Sequence, residues 1–214
     1  MLKIDGYVLV GGKSSRMGTN KFALSLCGAT FAELAVHALR KIAESRVYFV
    51  TGANQKDETA ELLPLDVPRI ADVLPHKAAI GGIYTALRHS KSDSKSEWIA
   101  VLACDYPFVS EDLFVRLTET AESIDANVSA IAPLQADGRV QPLCALYRVD
   151  PCLKIAGRLL QNDKIPAVRA LLENTSTHLV DFKQLADLPG ADNFFTNVNT
   201  PDDFLRIQNR IDND

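Results

Sequence analysis

The stretch from Val8 to Lys21 reads VLVGGKSSRMGTNK: an apolar run stops at two adjacent glycines, and Lys13, Arg16 and Lys21 follow among serines and a third glycine. Glycines at positions 11, 12 and 18 let backbone amides approach a ligand directly, and the cations beside them supply the charge that a polyphosphate requires. Arginine grips phosphate with a two-pronged donor set, whereas lysine acts as a mobile point charge, so this loop offers both modes. It is neither common phosphate-binding fingerprint. G-x-G-x-x-G fails because Gly11 and Gly12 are adjacent, and GxxxxGK[ST] fails because Lys21 stands three residues beyond Gly18 and is followed by Phe22. A second chemical position is Asp105, in CDYPF directly after the apolar run WIAVLAC. A carboxylate at the carboxyl edge of a core strand can reach a divalent cation that bridges nucleotide phosphates.

These groups need a scaffold, and the periodicity supplies one. Short β-rich runs alternate with helical stretches, which predicts an α/β fold: a single Rossmann-like domain over residues 1–214, three-layered, with a mostly parallel twisted sheet. Strands are expected at Tyr7–Val10, Val47–Thr51, Arg69–Ala71, Trp98–Cys104, Val128–Pro133, Val140–Tyr147 and His178–Asp181. Between the first two, Phe31, Leu34, Ala35, Ala38, Leu39 and Ile42 follow the spacing of one apolar helix face. Ser110 is the expected N-cap of a helix beginning EDLFVRL, and Thr200 that of a last helix in which Pro201 takes the first turn and Asp202 and Asp203 face the N-terminal dipole. The polar segment HSKSDSKSEW reads as a surface loop before a core strand.

Composition narrows the function. The chain has 214 residues, 47% hydrophobic and 23% charged, enough for one core. Lys plus Arg number 23 against 27 for Asp plus Glu, a net charge of −4, so the whole-chain balance gives no footprint for nucleic acid or an anionic membrane. Its apolar runs fall far short of the roughly 18 residues of a membrane span, and no signal-peptide pattern opens the chain, so a cytoplasmic protein is expected. Cys27, Cys104, Cys144 and Cys152 form no CxxC pair and read as buried reduced thiols. His37, His76, His89 and His178 are scattered and compose no catalytic dyad.

The string GGxSxRMGxxK, carried here by Gly11, Gly12, Ser14, Arg16, Met17, Gly18 and Lys21, resembles the signature loop of nucleotidyltransferases related to molybdenum cofactor guanylyltransferase, the MobA-like family. The resemblance extends from Val8 to about Phe204. CDYPF is similar to the family's segment whose aspartate binds Mg²⁺, RIADVLPHKAAIGGIYTAL to its acidic, glycine-bearing stretch, RVQPLCALY to a strand with a polar residue before proline, and NVNTPDD to its N-x-N-T-P segment. It departs where Ala78 and Ala79 replace the usual Gly-Pro. The implied fold is the nucleotide-diphospho-sugar transferase type. The resemblance further implies that Val10, Gly11, Gly12, Lys13, Ser14, Gly18, Lys21, Asp72 and Gly82 bind the nucleotide, that Arg16, Lys21 and Asp105 are catalytic, and that Asp105 holds Mg²⁺. On the acceptor side it implies Gln141, Asn197 and Asn199, together with Lys164 and Arg169 from NDKIPAVRALLE. The implied reaction joins GMP from GTP to molybdenum-loaded molybdopterin with release of pyrophosphate, the product passing to a molybdoenzyme or a chaperone. The alternatives are a CTP-using sister enzyme, a sugar- or alditol-phosphate acceptor, and a homologue that binds nucleotide without turnover.

Overall fold

The computed structural model describes residues 2–10, 20–43, 46–52, 62–162 and 164–211. Gly11, Gly12, Lys13, Ser14, Arg16 and Gly18 therefore lie outside the described residues.

Strand β1 (Ile4–Leu9) and strand β6 (Trp98–Ala103) form the middle of the sheet, and every residue of both is buried. Strands covered on both faces read as nearly unbroken apolar runs, which is why they stand out in the sequence. Around them run β4 (Val47–Thr51), β5 (Arg69–Ala71), β7 (Ala130–Pro133), β8 (Cys144–Arg148) and β9 (Thr177–Val180), in the spatial order β5-β4-β1-β6-β8-β7-β9. All neighbours pair in parallel except β8, which is antiparallel to both β6 and β7. A two-residue hairpin of β2 (Ser25–Leu26) and β3 (Ala29–Thr30) stands apart from this sheet.

Helices cover both faces. On one, α1 (Phe31–Ala43) and α3 (Glu111–Ser123) pack Leu39, Ala35, Leu113 and Leu117 against Val8, Trp98 and Leu102. On the other, α2 (Ala78–His89), α4 (Val149–Leu159) and the short α5 (Arg169–Glu173) bring Ile83, Leu87, Cys152, Ala156 and Leu171 against Tyr7, Ile99 and Val101. The closing helix α6 (Pro201–Ile211) joins a satellite cluster in which Ile207 and Val198 meet Leu26 and Phe31. No helix is long and apolar enough to cross a membrane among the described residues.

Several expectations need correction. The run Val140–Tyr147 becomes a strand only from Cys144; Val140 makes an isolated bridge to Leu134, and Pro142, which has no N–H to donate, lies in the turn between. HSKSDSKSEW is no simple surface loop: Ser90–Ser94 winds on from α2 as a π-turn, and Ser90 and Ser96 are buried. Ser110 takes the N-cap position of α3, but its hydroxyl makes no capping bond. Cys27 is exposed, unlike the other three thiols, because Cys27 and Gly28 form the tip of the hairpin with φ of 51° and 84°. Both residues having positive φ is the signature of a tight two-residue hairpin turn, where glycine is favoured.

Candidate active site

The sheet order reverses between β1 and β6: from β1 the chain moves outward to β4, and only later returns to lay β6 on its other side. In open α/β sheets the carboxyl ends of strands at such a point form a ligand crevice. Leu9 pairs with Ala103 in register, and the Cys104 amide donates to the Leu9 carbonyl at 3.3 Å. Val10, buried at the end of β1, donates its amide to Val50. Val10 and Cys104, at the carboxyl ends of adjacent strands, therefore stand side by side at this edge.

Into this crevice the fold brings Lys21, Asp105 and Asn199. The Lys21 ammonium donates to Asn199 Oδ1 at 2.7 Å and lies 3.8 Å from Asp105 Oδ2, each of the two charged side chains being about a fifth exposed. Asn199 is held by its neighbours. Val198 is fully buried in the satellite cluster, and its amide donates to the Asp105 carbonyl at 3.0 Å, which fastens the Asn197–Asn199 segment to the turn after β6. Beyond it, Asp203 Oδ2 accepts from the amides of Asn199 and Thr200 at 3.0 and 2.9 Å, while Thr200 Oγ1 accepts from the Asp203 amide, a reciprocal cap at the start of α6. The Asn199 amide first, then the Thr200 side chain and amide, hold the Asp203 carboxyl below its usual value.

Asp105 is the anomalous group. Burial pushes its carboxyl above the ordinary value, and the nearby Lys21 charge and a polar contact from the Asn197 side chain offset this only in part. Its Oδ1 is buried without a hydrogen-bond partner, and so is Asn197 Oδ1. Two orphaned oxygen acceptors within one crevice call for a donor or a cation. Oxygen donors of this kind suit a hard divalent ion such as Mg²⁺, which binds through one or two protein oxygens and takes the rest of its shell from water and phosphate. No group of three or more His, Cys, Asp or Glu able to hold a metal exists among the described residues.

On the same edge, Tyr106 donates its hydroxyl to Gln141 Oε1 at 3.1 Å. Tyr106 did not stand out in the sequence, because nothing local marks a contact spanning 35 residues. The other expected positions separate into two sets. Asp72 Oδ1 accepts from the Leu74 amide at 2.8 Å and from Thr85 Oγ1 at 2.7 Å, so that oxygen pins the turn into α2. Gly82 faces the sheet, where an added Cβ would stand 3.3 Å from Leu9 Cδ2; Gly81 is tighter, with a Cβ 2.5 Å from the Leu74 carbonyl oxygen. Lys164 is exposed. Arg169 is exposed as well and pairs with Glu173 at 2.8 Å on its own five-residue helix, which leads into the edge strand β9.

Comparison with known proteins decides the family. Residues 6–179 match the model of the MobA-like NTP transferase domain. The chain belongs to this family. MobA-like relatives align over almost all of its length: a probable molybdenum cofactor guanylyltransferase of Geobacillus sp. is 32% identical, with 95% of this chain and 97% of the relative covered. One of Bacillus thuringiensis is 31% identical with both chains fully covered. Among solved structures, molybdopterin-guanine dinucleotide biosynthesis protein A from Archaeoglobus fulgidus superposes with a TM-score of 0.76 at 27% identity, covering 98% of this chain and all of the other. The MobA-like chain is thus a nucleotidyltransferase, and its mostly parallel sheet with β8 reversed is the fold of that structure.

Proposed function

We propose that this nucleotidyltransferase transfers GMP from GTP to molybdenum-loaded molybdopterin, forming the guanine dinucleotide cofactor and pyrophosphate. The observation that carries the reading is the meeting of Lys21, Asp105 and Asn199 at the sheet's switch point, with orphaned oxygens on Asp105 and Asn197. The names of two bacterial relatives, each a probable molybdenum cofactor guanylyltransferase, support this choice of substrates.

In the proposed reaction a terminal oxygen of the acceptor's phosphate monoester attacks the α-phosphorus of GTP. The bond from that phosphorus to the β-bridging oxygen breaks, and its electron pair leaves with pyrophosphate. The attacking phosphate is already anionic near neutral pH, so no general base is required. Asp105 Oδ1 and Asn197 Oδ1 are the protein atoms that would hold Mg²⁺, which supplies charge neutralisation across the phosphates when bound. Lys21 adds a positive charge, and its bond to Asn199 fixes where that charge stands. Such positioning and electrostatic stabilisation make up most of the protein's contribution to phosphoryl-type transfer. We assign Gly11, Gly12, Lys13, Ser14, Arg16 and Gly18 to the triphosphate and base, Gln141 and Asn197 to the acceptor side, and the product to a molybdoenzyme or its chaperone.

The test is pyrophosphate release by the purified protein with Mg²⁺ and molybdenum-loaded molybdopterin, comparing GTP, CTP and ATP. Release with GTP alone, abolished by Asp105→Ala, is the expected result. A preference for CTP, or silence with all three nucleotides, would overturn the reading.

A further inference from the structure

The turn after β6 carries a second polar group that the reaction outlined above does not use. Tyr106 follows Asp105 directly, and its ring packs against the main core cluster while its hydroxyl reaches Gln141. Gln141 is only 8% exposed and its backbone is fixed at both ends: its amide donates to Pro133 and its carbonyl accepts from Cys144. The side chain is therefore the one part of Gln141 free to turn. An amide has two faces of opposite character, an acceptor oxygen and an NH₂ donor, and whichever face a neighbour engages decides which face is left for a ligand. Here the neighbour is a phenol, and its hydroxyl proton goes to Gln141 Oε1 at 3.1 Å.

We propose that Tyr106 is a positioning residue for the acceptor: by donating to Gln141 Oε1 it turns the Gln141 NH₂ group toward the anionic phosphate of the attacking substrate. The inference rests on the reaction proposed above and adds the residue that sets the polarity of the acceptor side. Without the Tyr106 hydroxyl, Gln141 can flip and present its oxygen, which repels a phosphate. The contact also couples the two halves of the site, since the turn that carries Asp105 carries the group that orients Gln141.

Two measurements test it. In Tyr106→Phe the ring and its packing stay while the hydroxyl goes. The expected result is a KM for molybdopterin raised about tenfold, the worth of one well-placed hydrogen bond, with the KM for GTP unchanged. Gln141→Ala should give the same rise, and the double variant no more than either alone. The second readout does not need turnover: the side-chain NH₂ resonances of Gln141 are followed by NMR as inorganic phosphate is added. Phosphate should shift them in the native protein and leave them unmoved in Tyr106→Phe. Equal rises in both KM values, additive effects in the double variant, or Gln141 resonances indifferent to phosphate in the native protein would overturn the proposal. If the native protein fails to use GTP with molybdopterin, the functional reading falls, and the phosphate titration still decides the role of Tyr106.

Discussion

Replacing Asp105 with asparagine should make the ligand-free protein more stable while destroying its activity. In the native chain the crevice holds two buried acceptors without donors, Asp105 Oδ1 and Asn197 Oδ1. An unsatisfied buried polar atom costs about 1–3 kcal/mol, and the NH₂ of an asparagine at 105 can donate to Asn197 Oδ1 and remove that cost. Against this stands the lost attraction of Lys21 at 3.8 Å, between side chains about a fifth exposed; with solvent screening such a pair contributes about 0–1 kcal/mol. The net gain is about 1 kcal/mol, or roughly 2–4 °C in Tm for a chain of this size. The gain should also depend on pH in a defined direction. Burial raises the Asp105 carboxyl in the folded state, so folding favours its protonated form. The native chain therefore carries its penalty where Asp105 is ionised, above the raised value, and loses it as pH falls through that value. The gap between Asp105→Asn and the native protein should accordingly be widest near neutral pH and close toward acid. Thermal melts across pH, with and without Mg·GTP, measure this, and nucleotide should raise the native Tm but barely move that of Asp105→Asn. Turnover should fall at least about 100-fold, the usual loss when one electrostatic stabiliser is removed. A variant that melts below the native protein at neutral pH, or that keeps turnover within tenfold, would refute the claim that the crevice holds unmet acceptors for a cation.

Lys21→Gln should reduce turnover about 100-fold and push the Asp105 carboxyl still higher, because the charge that holds it down is gone; pyrophosphate release and carboxyl-resolved NMR titration check the two effects. Gly81→Ala should destabilise by about 2–3 kcal/mol, since its Cβ meets a backbone oxygen at 2.5 Å, whereas Gly82→Ala should cost under about 1 kcal/mol because the tip of Leu9 can yield and alanine favours the helix; denaturant melts separate them. Under native conditions one thiol, Cys27, should react quickly with a thiol reagent and the other three only after unfolding, because burial pushes Cys104 and Cys152 up to about 12 and Cys144 well above its usual value; a fast signal that survives Cys27→Ser would contradict this.

The parts of the fold legible in the sequence were those in which burial imposes composition. β1, β4 and β6 are found within a few residues of their expected limits, because strands covered on both faces leave an apolar run with clear ends. The parts that were not legible depend on distant partners. β8 starts at Cys144 because Pro142 interrupts the ladder, and only its pairing with β6 shows that it runs antiparallel. The hairpin at 25–30 was legible in principle, since SLCGAT places a glycine second in a two-residue turn, but its strands are too short to show alternation. Within the site, Asp105 and Asn199 are marked by their positions after a core strand and before a capped helix. The bonds that orient them are not, because Lys21 meets Asn199 across 178 residues and Tyr106 meets Gln141 across 35.

Two carboxylates of adjacent strands contrast a supporting acid with the one proposed above to hold the cation. Asp5, at the amino end of β1, is fully buried; its Oδ1 accepts from Ser96 at 2.8 Å and lies 3.4 Å from Arg46 Nε, and its Oδ2 accepts from Ser90 at 2.8 Å and from Ser94. Both of its oxygens are engaged, and the three serine partners come from one segment, the π-turn and the residues after it, so Asp5 ties that turn to the sheet and leaves nothing for a ligand. Asp105, beyond the carboxyl end of the adjacent strand β6, is about a fifth exposed, yet its buried Oδ1 has no partner and its neighbour Asn197 repeats the pattern. A fold selected only for stability would satisfy both acids, since an unmet buried acceptor is costly. In the reading proposed above, this unmet pair at the switch point, beside Lys21, is where the chain gives up stability for binding.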